Sequence, residues 1–422
     1  MIKRIIAVVA LLALLLSMTT LGTISAAAAD TDWFEREPAK NVDYSFAVLG
    51  DIQTITFKDA HGDSNYLGAL FDWIVNNREA RKIEYVIGLG DTVETLRSNK
   101  KGAERNPKEW QTAAVQLAKL NEAQIPNLIV LGNHDDEYGY HQYVCTEAYQ
   151  AQMDGFFYDS EKLAAYGNSM SNCYKKIEIG NHKYLMIGLD YHIGEGVVEW
   201  ANALIEANPD YKVILSMHSY LSSNGSFYKD NIGFASPDFQ VQESMAFNAQ
   251  ELWNDLVSKH ANMFMVLSGH AAITHPMLRV TTGKNGNKVY KVLVDPQAYE
   301  KSDPSGFVYM INIVNGGSAV EIEYLSTVKN KYFGETNQMV LELAAGTLPE
   351  YIPSVKAPEK TTAESTTEVP VATTVYSEEA TTAETTEASS GGCRGAVIST
   401  MAVCCSIGTS LAAFAMRRRK ED

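Results

Sequence analysis

Five times between residues 44 and 270 a short apolar run rich in strand-forming residues stops abruptly at a side chain able to bind a metal ion. The runs are Tyr44 to Leu49 before Gly50-Asp51, Tyr85 to Leu89 before Gly90-Asp91, Asn127 to Leu131 before Gly132-Asn133-His134, Lys212 to Met217 before His218, and Met263 to Ser268 before Gly269-His270. Continuous apolar runs of this length suit strands covered on both faces. Amphipathic stretches at Tyr66 to Arg81, Pro107 to Gln124 and Phe247 to His260 lie between them and predict helices. Strand alternating with helix specifies an α/β core, where ligands gather just beyond the carboxyl ends of the strands. Four of the five polar residues follow a glycine, which lets the chain turn sharply and a bound group approach the backbone.

One Asp after a strand is ordinarily a turn or a helix cap, and a lone His is ordinarily a satisfied core or surface group. Five such strand ends ask for a common cause. Asp51, Asp91, Asn133, His218 and His270 together offer carboxylate oxygen, amide oxygen and imidazole nitrogen, the mixture preferred by Mn²⁺, Zn²⁺ or Fe. Asp91 stands centrally, where a carboxylate bridges two ions.

The ordered series GDIQ at Gly50, GDTVE at Gly90, GNHD at Gly132, His218 and GH at Gly269 resembles the motifs of the calcineurin-like metallophosphoesterases, from about residue 41 to residue 300. The resemblance implies a four-layer α/β/β/α sandwich with one or two divalent ions (Mn, Zn, Fe or Mg) at one edge, and hydrolysis of a phosphate ester by water that the ions activate. It implies metal ligands at Asp51, Gln53, Asp91, Asn133, His218 and His270, and catalytic roles for His134 and Asp51. His134 would protonate or hydrogen-bond the leaving oxygen, with Asp51 or Asp135 orienting its ring. Gly316-Gly317 between the runs Val308 to Val314 and Ala319 to Leu325 predicts a late hairpin completing the second sheet.

Two departures bear on the metal. The family's first motif is usually D-x-H and its last G-H-x-H, whereas this chain carries Gln53 and Ala272 at those positions. One ion keeps the implied set Asp91, Asn133, His218 and His270. The other retains Asp51, Asp91 and the Gln53 amide oxygen, which predicts weaker binding there and a preference for Mg²⁺ or Mn²⁺ over Zn²⁺. Asp295, after the run Val289 to Val294, and His275 are candidates to compensate; the blander alternative makes one a turn residue and the other a loop residue. Glu94, where the family commonly has Asp or Asn, is expected in an outer role. Of the tyrosines and histidines around the motif loops, among them Tyr140, His141, Tyr191 and Tyr220, His192 is the first candidate to touch substrate. Cys145 and Cys173, in the long connection after the third motif, form either a disulfide or two buried thiols.

The ends suggest a compartment. Lys3 and Arg4 precede the apolar run Ile5 to Leu16 and small residues up to Ala29, the pattern of a signal peptide over residues 1–29. Residues 395–416 are uncharged and are followed by Arg417-Arg418-Arg419-Lys420, which predicts one membrane-spanning helix with a basic cytoplasmic tail at 417–422. Residues 357–392 hold ten Thr, seven Glu and four Ser, too little apolar surface to fold, so 357–394 reads as a disordered stalk. The folded domain is then 30–356, placed outside the membrane, with a phosphate-ester small molecule or a cell-envelope phosphate polymer as its partner. A formal charge of -16 disfavours a nucleic-acid partner held by its phosphates. Five cysteines without a C-x-x-C pair exclude a thiolate zinc ribbon. The competing function is a catalytically weak metal- or phosphate-binding surface protein, and Gln53 and Ala272 are what favour it.

Overall fold

The computed structural model describes residues 32–62, 64–94, 107–229 and 247–343. The expected signal peptide (1–29), stalk (357–394), spanning helix (395–416) and basic tail (417–422) lie outside the described residues. Among the described residues no helix is long and apolar enough to cross a membrane.

The motif strands form where the apolar runs predicted them. In chain order the strands are β1 (Trp33–Phe34), β2 (Val42–Leu49), β3 (Ile83–Gly88), β4 (Asn127–Ile129), β5 (Gly155–Phe156), β6 (Cys173–Ile179), β7 (His182–Gly188), β8 (Lys212–Ser216), β9 (Met263–Ser268), β10 (Met277–Thr282), β11 (Lys288–Leu293), β12 (Phe307–Val314), β13 (Ala319–Ser326), β14 (Lys331–Phe333) and β15 (Met339–Glu342). Among the described residues they make a mixed α/β fold with two sheets. One runs in the order β1-β14-β13-β12-β2-β3-β4, with β15 beside β13; the other runs β10-β11-β9-β8-β7-β6-β5. The motif strands are parallel to their neighbours, β2 with β3 and β3 with β4 in the first sheet, and β8 with β9 in the second. Their carboxyl ends therefore open on a common rim.

The late hairpin corrects one expectation. Strands β12 and β13 do pair antiparallel, but β12 also pairs with β2, so the hairpin belongs to the sheet of the first three motifs and not to the second. Every residue of both strands is buried, a surface better matched to a sheet centre than to an edge.

Helices α1 (Gln53–His61), α2 (Tyr66–Arg81) and α3 (Pro107–Glu122) connect the strands of the first sheet, while α4 (Glu195–Glu206) and α5 (Ala249–Asp255) serve the second. Helix α2 shows why these segments are helical. Leu67, Leu70, Phe71 and Ile74 are buried at helical spacing, and the helix packs on β2 and β3. Its first turn is capped from α1, because the Asp59 carboxylate accepts the N–H groups of Tyr66, Leu67 and Gly68 at 2.8, 2.8 and 3.3 Å. Lys82 ends it in a left-handed conformation, φ 50°. Each buried side chain on that face contributes about 1.5–3 kcal/mol.

The two sheets meet through Tyr44 and Phe46 of β2 and Tyr184 of β7: the two phenol oxygens are 2.8 Å apart, and the Phe46 and Tyr184 rings meet edge-on at 5.3 Å. The other face of the second sheet, with Leu185, Ile187, Val213 and Leu215, packs on Val197, Val198, Ala201 and Ile205 of α4 and Leu252 of α5.

The disulfide alternative is not realised. Cys145 and Cys173 are free and buried. The Cys173 sulfur lies 3.8 Å from the Tyr149 hydroxyl, and burial pushes its thiol up to about 12; burial raises Cys145 as well. Buried, protonated thiols lack the thiolate that forms a bridge. Alkylation without reductant, followed by mass spectrometry of the two peptides, should therefore leave both cysteines unmodified in the native protein and label both in denaturant; a disulfide-linked peptide pair would contradict this. Replacing Phe71 with Ala should cost about 3–5 kcal/mol in urea unfolding, and a cost below about 1 kcal/mol would show that α2 is not anchored as described.

Candidate functional site

The rim where the parallel strands end gathers the side chains that interrupt the apolar runs. Asp51 follows β2, Asp91 follows β3, Asn133 follows β4, His218 follows β8 and His270 follows β9. Asp51, Asp91 and His218 each present a ligand atom within 4.8 Å of the others, and all three are buried. Two glycines make this crowding feasible. A Cβ at Gly132 would stand 2.1 Å from the Asp91 nitrogen and 2.3 Å from its Oδ1, and one at Gly269 would stand 2.1 Å from Asp51 Oδ1.

One imidazole is oriented by backbone and the other by a tyrosine hydroxyl. His218 Nδ1 is 2.7 Å from the Leu89 carbonyl oxygen, which only accepts, so Nδ1 carries the proton and Nε2 is turned to the centre. There His218 Nε2 lies 3.0 Å from Asn133 Oδ1, 3.3 Å from Asp91 Oδ1 and 3.2 Å from His270 Nδ1. His270 Nδ1 is itself 2.7 Å from Asn133 Oδ1, while its Nε2 is 2.8 Å from the Tyr228 hydroxyl. An amide oxygen, a carboxylate oxygen and two ring nitrogens thus face one small space, a donor set that fits a divalent cation, which would displace the proton that Asp91 favours on His218 in its absence.

Electrostatics agree with that chemistry. Burial raises the Asp91 carboxyl, but the His218 imidazolium and the His134 backbone N–H at 2.7 Å outweigh it and bring it down to about 2. Burial lowers His270 to about 3, with help from the neighbouring His218 charge, so its ring is neutral. Burial, Asp295 and Asp91 together raise Asp51 well above the usual carboxylate range, against the His270 N–H that both its oxygens accept at 3.0 and 3.1 Å.

Of the anticipated residues, Gln53 heads α1 fully buried, with neither amide atom bonded to a partner. The ring of His134 is oriented by Glu94, whose carbonyl oxygen lies 2.8 Å from Nδ1, and not by Asp51 or Asp135. Asp135 instead accepts the N–H groups of Thr92, Val93 and Gly132 at 2.8, 3.1 and 2.9 Å and so ties the second motif loop to the third. His192 is half-buried with its ring edge-on to Tyr191 at 4.8 Å, whereas Tyr191 itself reaches the rings of His218 and His270 at 5.5 and 5.8 Å. Tyr140, His141 and Tyr220 are buried packing residues rather than pocket lining. His275 is held elsewhere, stacked on Phe333 at 5.1 Å and bonded to Asn337 at 2.9 Å.

One neighbour was not legible as such. Tyr228 is ten residues past His218 with no motif to mark it. Asp295, the candidate the sequence offered to compensate for Ala272, comes to the side of Asp51 and is raised to about 6, by burial first.

Comparison with known proteins follows the same segment. A family model described as calcineurin-like phosphoesterase matches residues 44–290. Among curated proteins the chain is similar to the uncharacterized protein YvnB of Bacillus subtilis (strain 168), 25% identical over 318 residues that make up 72% of this chain and 21% of that protein. The chain thus spans about a fifth of the length of that relative. Similar solved structures include the purple acid phosphatase PPD1 of yellow lupin seeds, at 12% identity and a TM-score of 0.40 over 71% of this chain and 53% of that one. GAP50, the anchor in the inner membrane complex of Plasmodium, matches at 12% identity and a TM-score of 0.39 over 71% and 88% of the respective chains.

Asp51 carries a pH signature. Its folded-state pKa is raised, so the folded form keeps the proton that the unfolded form releases, and stability falls as pH rises from about 4 through the folded value. In the metal-free protein Asp51→Asn should gain stability relative to the parent as pH goes from about 4 to about 8, read from urea melts in chelator; a difference that shrinks over that range would contradict the assignment.

Proposed function

The chain belongs to the calcineurin-like phosphoesterase family, and from that premise we propose that it is an extracellular, membrane-anchored, metal-dependent hydrolase of phosphate esters. Its substrate class is a phosphate monoester, a diester or a nucleotide, free or within a cell-envelope phosphate polymer. The observation that carries the reading is the convergence of His218 Nε2, His270 Nδ1, Asn133 Oδ1 and Asp91 Oδ1 on one point. The compartment rests on the apolar runs at Ile5 to Leu16 and 395–416 and on the basic residues flanking them.

Asp91, Asn133, His218 and His270 would hold one divalent ion, and Asp51 with Gln53 a second, Asp91 being shared. When bound, such ions supply positive charge for the phosphate oxygens and lower the pKa of water. The chain's own residues do the rest. Leu89 and Tyr228 hold the two imidazoles in position. With Nδ1 donating to the Glu94 carbonyl, His134 keeps Nε2 free to hold a proton for the departing oxygen. Asp135 locks the two loops from which Asp91 and His134 project.

With Mn²⁺, the purified chain should release p-nitrophenol from p-nitrophenyl phosphate or bis(p-nitrophenyl) phosphate, and chelator should abolish the release. No metal-stimulated product from either ester would favour the second reading, a metal- or phosphate-binding protein, for which the substitutions at Gln53 and Ala272 speak. His134→Ala should cut turnover on a poor leaving group by roughly 10²-fold or more with bound metal unchanged. Equal loss of metal would move His134 among the ligands.

A further inference from the structure

We infer that Asp295 is a metal ligand: it stands in for the imidazole this chain lacks at Ala272 and, with Asp51, Asp91 and the Gln53 amide, completes an all-oxygen first site. The inference rests on the two-ion reading of the proposed function. Strand β11 lies parallel to β9, with Leu293 opposite Ser268, so Asp295 emerges at the rim reached by His270. The Val294 N–H donates to the Ser268 carbonyl at 2.8 Å, and the Asp295 carbonyl accepts the Ile273 N–H at 3.0 Å, which pins this turn to the loop after β9. On its other side the turn touches the first motif. A Cβ at Gly50 would lie 2.5 Å from the Val294 carbonyl oxygen and 2.7 Å from Pro296 Cδ, so the chain entering Asp51 rests directly on the chain through Asp295.

The side chain is placed for more than a turn. Asp295 Oδ1 accepts the Gln297 N–H at 3.0 Å and so opens the short helix Gln297–Glu300. Oδ2 is buried with no hydrogen-bond partner, on a turn packed against the chain that leads into Asp51. A turn role explains the first oxygen only; Ser or Asn closes such a turn equally well without adding a third carboxylate to Asp51 and Asp91. Gln53, fully buried with both amide atoms unpartnered, is a second group in want of a ligand beside Asp51. A divalent cation answers Asp295 Oδ2 and Gln53 Oε1, since it accepts lone pairs and offsets like charges that are otherwise unfavourable in a buried site. Oxygen donors without imidazole select Mg²⁺ or Mn²⁺ over Zn²⁺ at this position.

The experiment titrates the metal-free chain with Mn²⁺ and reads bound ions per chain by elemental analysis after equilibrium dialysis, with electron paramagnetic resonance to detect coupling between neighbouring ions. The parent should bind two ions with a coupled spectrum. Asp295→Asn should keep the tighter ion, uncoupled, and lose affinity for the other by more than the roughly 10–100-fold that removing an outer-shell partner costs. Asp295→Ser, which preserves the turn bond, is the second variant and should behave alike, while His275→Ala should retain both ions. Two coupled ions in either Asp295 variant, or weakening within the outer-shell range, overturns the assignment; so does a parent that binds one ion. Ester turnover is scored separately: a parent that binds two coupled ions yet hydrolyses nothing refutes the hydrolase reading and leaves the ligand assignment standing.

Discussion

A surplus of lone pairs among buried side chains is the constraint on which this molecule turns. Asp51 and His218 are fully buried, Asp91 nearly so, and Asn133 and His270 close the space around them. Protons alone settle the surplus poorly, because Asp51 and Asp295 are each raised by burial first and then by the charges of their neighbours, while burial holds His270 neutral. The fold accepts this unfavourable arrangement because the centre sits where both sheets deliver their parallel strand ends, and the large core between them tolerates a local penalty.

Much of that arrangement was legible in the sequence. The five apolar runs became β2, β3, β4, β8 and β9, and helix α2 occupies the span its burial pattern marks, because periodicity and abrupt polar stops are local properties. What escaped depended on contacts between distant segments. Asp295 reads either as a compensating ligand or as a turn residue, and the sequence does not choose between them; the packing of Gly50 on Val294 is what brings it to Asp51. The hairpin was recognised but assigned to the other sheet, since strand order is set by which buried faces match and not by the hairpin itself. Tyr228 gave no cue, as a hydroxyl oxygen that accepts the His270 Nε2 proton needs only reach.

The polar residues around the centre divide into those that face it and those that hold it. Asp135 binds three backbone N–H groups across two loops, and Asp136 accepts the Trp110 indole N–H at 2.7 Å and the Gly139 N–H at 2.6 Å. Consecutive acids in the GNHDD stretch thus do opposite work from the Asn133 and His134 before them: they satisfy amides that the sharp loop leaves without secondary-structure partners. Buried Glu109 does the same for the Glu94 N–H at 2.8 Å, on the residue whose carbonyl aims His134.

The bond from His218 Nδ1 to the Leu89 carbonyl joins the two sheets, for Leu89 continues β3 and His218 continues β8. Sliding one layer over the other would therefore misalign the imidazole by the same displacement. The opposite rim carries no such burden. There the Asn315-Gly316-Gly317 turn rests on Asp43, at the far end of β2 from Asp51, through the Gly317 N–H at 3.0 Å. Insertions and grafted sequences belong at that end, where the architecture leaves room for novelty without disturbing the chemistry.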